Sequence, residues 1–131
     1  MSNKNWMSTL GWSKEHTAEL RNAAYAYIRQ GKYDISLPLF EALVVLDPTI
    51  PYDWQMLGAL YVQTDQPEKA IKAIDKALLE EADHGPTLLN LTKAFFMAGK
   101  FEDGRRLAKI LEKDKDPYVA GQAAALLLSY G

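Results

Sequence analysis

His16 and His84 are the side chains best suited to metal ligation or general-base chemistry, and they stand far apart in the chain. A zinc site needs several His, Cys or carboxylate ligands converging at short spacing, and neither histidine has a second histidine or a clustered carboxylate at such a distance. Cysteine is absent, which removes thiolate ligands, disulfide frameworks and cysteine nucleophiles and agrees with a reducing compartment. The acids Glu80, Glu81 and Asp83 form a run of the kind that solvates a helix end. Serines and threonines lack a nearby base, and no Gly-x-Ser-x-Gly elbow, phosphate-cradling glycine loop or dinucleotide fingerprint occurs. The expectation is a non-enzymatic chain with no catalytic residue, no cofactor and no metal ligand.

The chain has 131 residues, 48% of them hydrophobic and 24% charged, with a formal net charge of -2. That length buries a real core within one domain. The charge gives no electrostatic reason for nucleic acid or an anionic membrane as partner. Lys69, Lys72, Lys76, Arg105, Arg106 and Lys109 are interleaved with acids along helical stretches, the pattern of a solvated face. The opening Met1-Ser2-Asn3-Lys4-Asn5-Trp6 lacks the apolar run of a secretory signal. No stretch reaches the ~20 apolar residues of a membrane helix, and Gly121 and Gln122 interrupt the nearest candidate, Ala120 to Leu128. A cytoplasmic location without membrane insertion is expected.

The elements that would position any site are set by an internal repeat. Trp54, Leu57, Gly58 and Tyr61 match all four fixed places of W-x2-L-G-x2-Y, and the segment resembles the opening of a tetratricopeptide repeat. Ala70, Ile74 and Ala77 follow at the spacing of a small, a large and a small apolar residue. One period of 34 residues back stand Leu20, Ala23, Ala24 and Tyr27, then Gly31, Tyr33, Phe40 and Asp47-Pro48. One period forward stand Leu88, Leu91, Thr92 and Phe95, then Gly99, Phe101, Ala108 and Leu111, with Asp116-Pro117 echoing Asp47-Pro48. Glycine ends a helix where the chain must reverse, and proline suits the first turn of the next. Small residues let helix axes approach, while aromatic ones fill the space between pairs.

The expected fold is all-α: a superhelix of three helix-turn-helix repeats, at about 17–50, 51–84 and 85–116, closed by a capping helix over 117–129. The spacing predicts helices over about 13–30, 34–46, 51–64, 67–82, 85–98, 101–113 and 117–129, with Ser13 as the first N-cap. The repeat domain is thus 13–131. The last helix is apolar on more than one face, so it either packs deeply or meets another chain. Residues 1–12 form a separate N-terminal segment. Trp6, Leu10 and Trp12, with Met7, either fold back onto the first repeat or make a dimer or partner contact.

In a tetratricopeptide array the first helix of each repeat lines the concave side. That register places Arg21, Tyr25, Ile28, Tyr52, Met56, Ala59, Leu89, Asn90, Lys93, Phe96 and Met97 towards a peptide-binding groove. The family's basic clamp for a C-terminal carboxylate does not fit, because Tyr25, Met56 and Pro86 stand where polar or cationic residues would be needed. Only Arg21 and Asn90 remain of it. A groove of tyrosine, methionine and phenylalanine suits an extended apolar peptide. Met56, Leu89 and Phe96 are equally placed for inter-repeat core, whereas the hydroxyls of Tyr25 and Tyr52 favour the groove.

Gln30-Gly31-Lys32-Tyr33-Asp34, followed by Phe40-Glu41-Ala42-Leu43-Val44-Val45-Leu46-Asp47, resembles the first repeat of the class II translocator chaperones of bacterial type III secretion. The likeness runs over about residues 13–115, with a shorter N-terminus and Asp65-Gln66-Pro67 at the second turn as departures. It implies a chaperone that holds an extended apolar segment of a secreted translocator, or another export client, in the groove. It also implies a homodimer contact near Trp6 and Leu10. Two alternatives stay open: a chaperone of the needle subunit, which presents a helix, and a general protein-protein interaction adaptor.

Overall fold

The computed structural model describes residues 5–130, and all regular secondary structure among them is helical. In chain order the helices are α1 (Trp6–Leu10), α2 (Lys14–Arg29), α3 (Tyr33–Leu46), α4 (Pro51–Gln63), α5 (Pro67–Leu78), α6 (Gly85–Met97), α7 (Phe101–Leu111) and α8 (Pro117–Tyr130). The first four residues of the N-terminal segment, and with them most of the stretch read for a secretory signal, lie outside the described residues, as does Gly131.

Three antiparallel pairs, α2/α3, α4/α5 and α6/α7, turn back through one left-handed residue each: Gly31 (φ 75°), Asp65 (φ 59°) and Gly99 (φ 78°). The next backbone N–H closes each turn. Those of Lys32, Gln66 and Lys100 donate to the carbonyls of Tyr27, Tyr61 and Phe95 at 2.9, 2.8 and 2.8 Å. The departure at Asp65 therefore changes the residue and keeps the conformation, since a short polar side chain tolerates this region better than most.

Local chemistry sets the helix starts. The Ser13 N–H donates to Nδ1 of His16 at 2.9 Å, so a histidine fills the place that glutamate takes in a capping box. Pro51 and Pro67 open their helices, where the missing N–H costs nothing. Asp47 Oδ1 accepts from the Thr49 N–H at 3.1 Å, and Asp116 Oδ1 from the Tyr118 N–H at 2.9 Å, so the two Asp-Pro corners share one turn geometry. α5 stops at Leu78, short of the expected 82. The acids Glu80, Glu81 and Asp83 would meet the negative end of the helix dipole had it continued.

α1 is an addition to the helices read from the sequence, because five residues are too few to show a periodicity. Asn5 Oδ1 accepts from the Ser8 N–H at 3.0 Å, and Gly11 ends the helix at φ 68°. It rests against α3, with Met7 and Trp12 facing Leu46 and Pro48 across a cleft. Trp6 and Leu10 stay exposed.

From α2 onward successive helices pack on one another, and α4 also packs on α6, as α6 does on α8. Neither member of a pair can bury its apolar face alone, so stacking of neighbours supplies the core. Ala24, Phe40, Leu43, Leu60, Ala70 and Ile74 lie at its centre. A second cluster of Leu89, Leu111, Val119 and Ala123 seats the last helix. Only a narrow stripe of α8 is buried there, and Tyr118 and Leu128 point outward. Two glycines fix the closest approaches: a Cβ at Gly58 would lie 2.5 Å from Ile74 Cγ1, and one at Gly104 would lie 2.8 Å from the Phe96 ring.

Alanine ordinarily strengthens a helix by about 1 kcal/mol over glycine, but Gly58→Ala should lower stability here by about 1–3 kcal/mol through overpacking on Ile74. Urea unfolding measures this, and a stabilised variant would contradict the close approach. By contrast, Asp65→Gly should stabilise by up to about 1 kcal/mol and Asp65→Val should destabilise by about 1–2 kcal/mol. The same unfolding experiment reads both.

Candidate functional site

On α2, Arg21, Tyr25 and Ile28 recur at helical spacing, and on α4 Tyr52, Met56 and Ala59 do the same. The two stripes meet at Tyr25 and Tyr52. Tyr25 is 43% exposed and Tyr52 36%. Burial raises the Tyr52 pKa above its ordinary value, and the neighbouring Tyr25 phenol and Asp53 carboxylate add to the rise. Among the described residues neither phenol has a protein hydrogen-bond partner. Both rings thus keep part of their apolar faces and their hydroxyls open. The Tyr52 ring leans on buried Phe40, with centroids 6.3 Å apart, so it stands on the core.

Arg21 has a different role from the one expected of a groove cation. Its Nε and Nη2 reach the two carboxylate oxygens of Asp53 at 2.5 and 2.7 Å. Asp53 is fully buried, whereas the Arg21 side chain keeps 22% of its surface. The hydrogen bond that Arg21 donates to Asp53 raises the Arg21 pKa against the opposing effect of burial. The pair ties α2 to α4 beside Tyr52 and compensates the Arg21 charge. Asp53 escaped the sequence reading because a lone acid in the first turn of a helix also satisfies the dipole; its distance from Arg21, near one repeat period, was the available signal.

Further along, two expected groove residues belong to the interior. Leu89 is 2% exposed and packs with Leu111 and Val119. Phe96 is 3% exposed and stacks on Tyr130 of α8, with centroids 4.5 Å apart and planes 7° from parallel. The reason is the last helix: α8 packs on α6 and covers these side chains, and Gly104 gives the Phe96 ring its space. Met56 and Ile28 are half-buried against the core. Ala59, Asn90 and Lys93 are half-buried, and Met97 is exposed. The open part of the wall therefore lies over α2 and α4, with Lys93 and Met97 on α6 beyond it.

The histidines are structural. His16 caps α2, and Nδ1 of His84 lies 2.7 Å from the Thr87 hydroxyl at the start of α6. Among the described residues no group of three His or carboxylate side chains is placed to hold a metal ion. No helix there is long and apolar enough to cross a membrane. Trp6 and Leu10, named for a dimer contact, are exposed, while Trp12 is half-buried with its ring 5.4 Å from that of His16.

Residues 54–84 match the tetratricopeptide repeat family model. No curated protein matches the chain in sequence. Among solved structures, PcrH in complex with the chaperone binding region of PopD superposes with a TM-score of 0.75 at 20% identity, over 92% of this chain and 94% of that one. PcrH is a protein of Pseudomonas aeruginosa. The Yersinia enterocolitica type III secretion chaperone SycD, in complex with a peptide of the translocator YopD, gives 0.75 at 18% identity, over 91% and 98%. The first tetratricopeptide domain of Spaghetti (RPAP3), bound to an HSP90 peptide, gives 0.75 at 16% identity, over 89% and 94%. The chain has the tetratricopeptide-repeat superhelix seen in the translocator chaperones, and at these identities the likeness is one of fold.

The Arg21–Asp53 pair is asymmetric in burial, so its two truncations should differ. Arg21→Ala strands a sealed carboxylate and should cost about 3 kcal/mol or more. Asp53→Asn leaves a guanidinium that water can reach and should cost about 1–2 kcal/mol. Chemical denaturation of both variants decides; equal losses would mean that water reaches Asp53.

Proposed function

We propose that this chain is a cytoplasmic chaperone of type III secretion that holds an extended apolar segment of a translocator protein, keeping it soluble and competent for export. The carrying observation is the exposed Tyr25–Tyr52 pair, with the nearby arginine's charge already compensated by Asp53. Large rigid rings with open hydroxyls contact an apolar strand over much area at small entropic cost. The PopD and YopD complexes are of the same fold, which supports this occupant.

The HSP90 peptide bound to the RPAP3 domain ends in Glu-Glu-Val-Asp. Such an acidic terminus calls for free cations, and Arg21 is committed to Asp53. An apolar segment fits the wall better. The mechanism is passive: binding covers surface that would otherwise aggregate, and mass action holds the client in its bound, unfolded state. It requires no catalytic group, metal or cofactor. A client presented as a helix, as for a needle subunit, is the second reading; its observation is the outward face of α8, where Leu128 is 89% exposed. A homodimer through Trp6 and Leu10 is compatible with either client.

Co-expression of the Tyr25→Glu/Tyr52→Glu double variant with a translocator from the same host should leave the translocator insoluble, while circular dichroism shows unchanged helicity. Undiminished co-purification would remove the groove from the proposal. Loss of the client only in Leu128→Glu would transfer it to α8.

A further inference from the structure

A second surface lies on the other side of α4. Trp54, Leu57 and Tyr61 share one face of that helix, and the groove residues Tyr52, Met56 and Ala59 share the opposite one. Over the first face, α3 and α5 flank a trough of about 400 Å³. Its floor is apolar, made by Val44, Leu57, Tyr61 and Ala73. Val45 stands on its α3 side with 57% of its surface exposed.

The α5 side carries Lys69, Lys72 and Lys76, one residue per turn along about 10 Å of helix. Among the described residues no carboxylate lies within ion-pair distance of any of the three. The Lys69 ammonium stands 5.8 Å from the Tyr61 ring centroid, which keeps it over the trough. Glu41 is the acid at the trough, and its carboxylate accepts the Tyr61 hydroxyl hydrogen bond at 2.6 Å. A chain of net charge -2 thus sets three lysines beside an oily slot, none of them in an ion pair among the described residues.

We propose that this trough docks an acidic amphipathic helix of a protein partner, a site separate from the groove and independent of the reading given above. The slot would take an apolar stripe at helical spacing, and carboxylates one turn apart along its flank would meet the three lysines. Placed between α3 and α5 over α4, such a helix continues the layering by which the repeats already pack. The lysines supply orientation and salt sensitivity, and the apolar floor supplies the buried area. A membrane surface fits less well, because the apolar side chains are recessed between two helices and do not protrude.

The test is a titration of the full-length ¹⁵N-labelled chain with a synthetic helical peptide bearing Leu on one face and Glu beside it, with a control carrying Lys for each Glu. Amide cross-peaks of Val45, Lys72 and Ala73 should shift with the Glu peptide and stay still with the control. Binding should weaken severalfold when salt rises from about 50 to about 300 mM, as the attraction is screened. Lys69→Glu/Lys72→Glu/Lys76→Glu should abolish the shifts, as should Val45→Asp, and the Tyr25→Glu/Tyr52→Glu variant should retain them. Equal binding of the control peptide, shifts centred on Tyr25 and Tyr52, or no shifts at millimolar peptide would each overturn the proposal. So would changes at Val45 and Ala73 produced by protein dilution alone, which would assign the face to a second copy, or by anionic vesicles in place of the peptide.

Discussion

A helix pair of this length has too little apolar surface to be stable by itself, and everything else follows from how each pair is closed and stacked. Residues 31, 65 and 99 adopt the same left-handed conformation, and the N–H after each returns to the residue four before it. Like closures give like pairs, and like pairs stack in the same sense. The direction in which α2, α4 and α6 present their outer faces is a consequence of that stacking. Gly58 against Ile74 and Gly104 against Phe96 set how near the helices come.

Within this frame the first two repeats are joined differently from the rest. α4 with α6, and α6 with α8, meet through their packing, whereas α2 and α4 are linked by the bidentate Arg21–Asp53 pair. A sealed ion pair is weak evidence for stability, since desolvation offsets much of its attraction. Its value here is geometric. Two planar groups joined by two hydrogen bonds permit one relative placement, and that placement brings Tyr25 beside Tyr52. The pair also holds the Arg21 charge against a carboxylate of the protein itself.

The last helix has the converse effect. By stacking Tyr130 on Phe96 and burying Leu89, α8 closes the far part of the wall. The open surface is therefore shorter than three repeats would provide, and α4 is its centre. α4 is also the floor of the lysine-rimmed trough on its reverse side. One helix thus supports two surfaces of unlike chemistry, one of phenols without net charge and one of apolar side chains beside unpaired cations.

Much of this was legible in the residues alone. The all-helical repeat, its period, the glycine turns at Gly31 and Gly99, the proline starts and the close approach at Gly58 all follow from local preferences that recur along the chain. Local preference states what a residue can do where it stands, and repetition amplifies it. The fate of Phe96 and Leu89, the burial of Asp53 and the equivalence of Asp65 to two glycines were decided by contacts between residues distant in sequence. The periodicity of α6 is the same whether its outer face meets water or α8, so no pattern within it could separate groove from core. The tertiary structure made that choice, because burial belongs to a pair of surfaces and a sequence displays them one at a time.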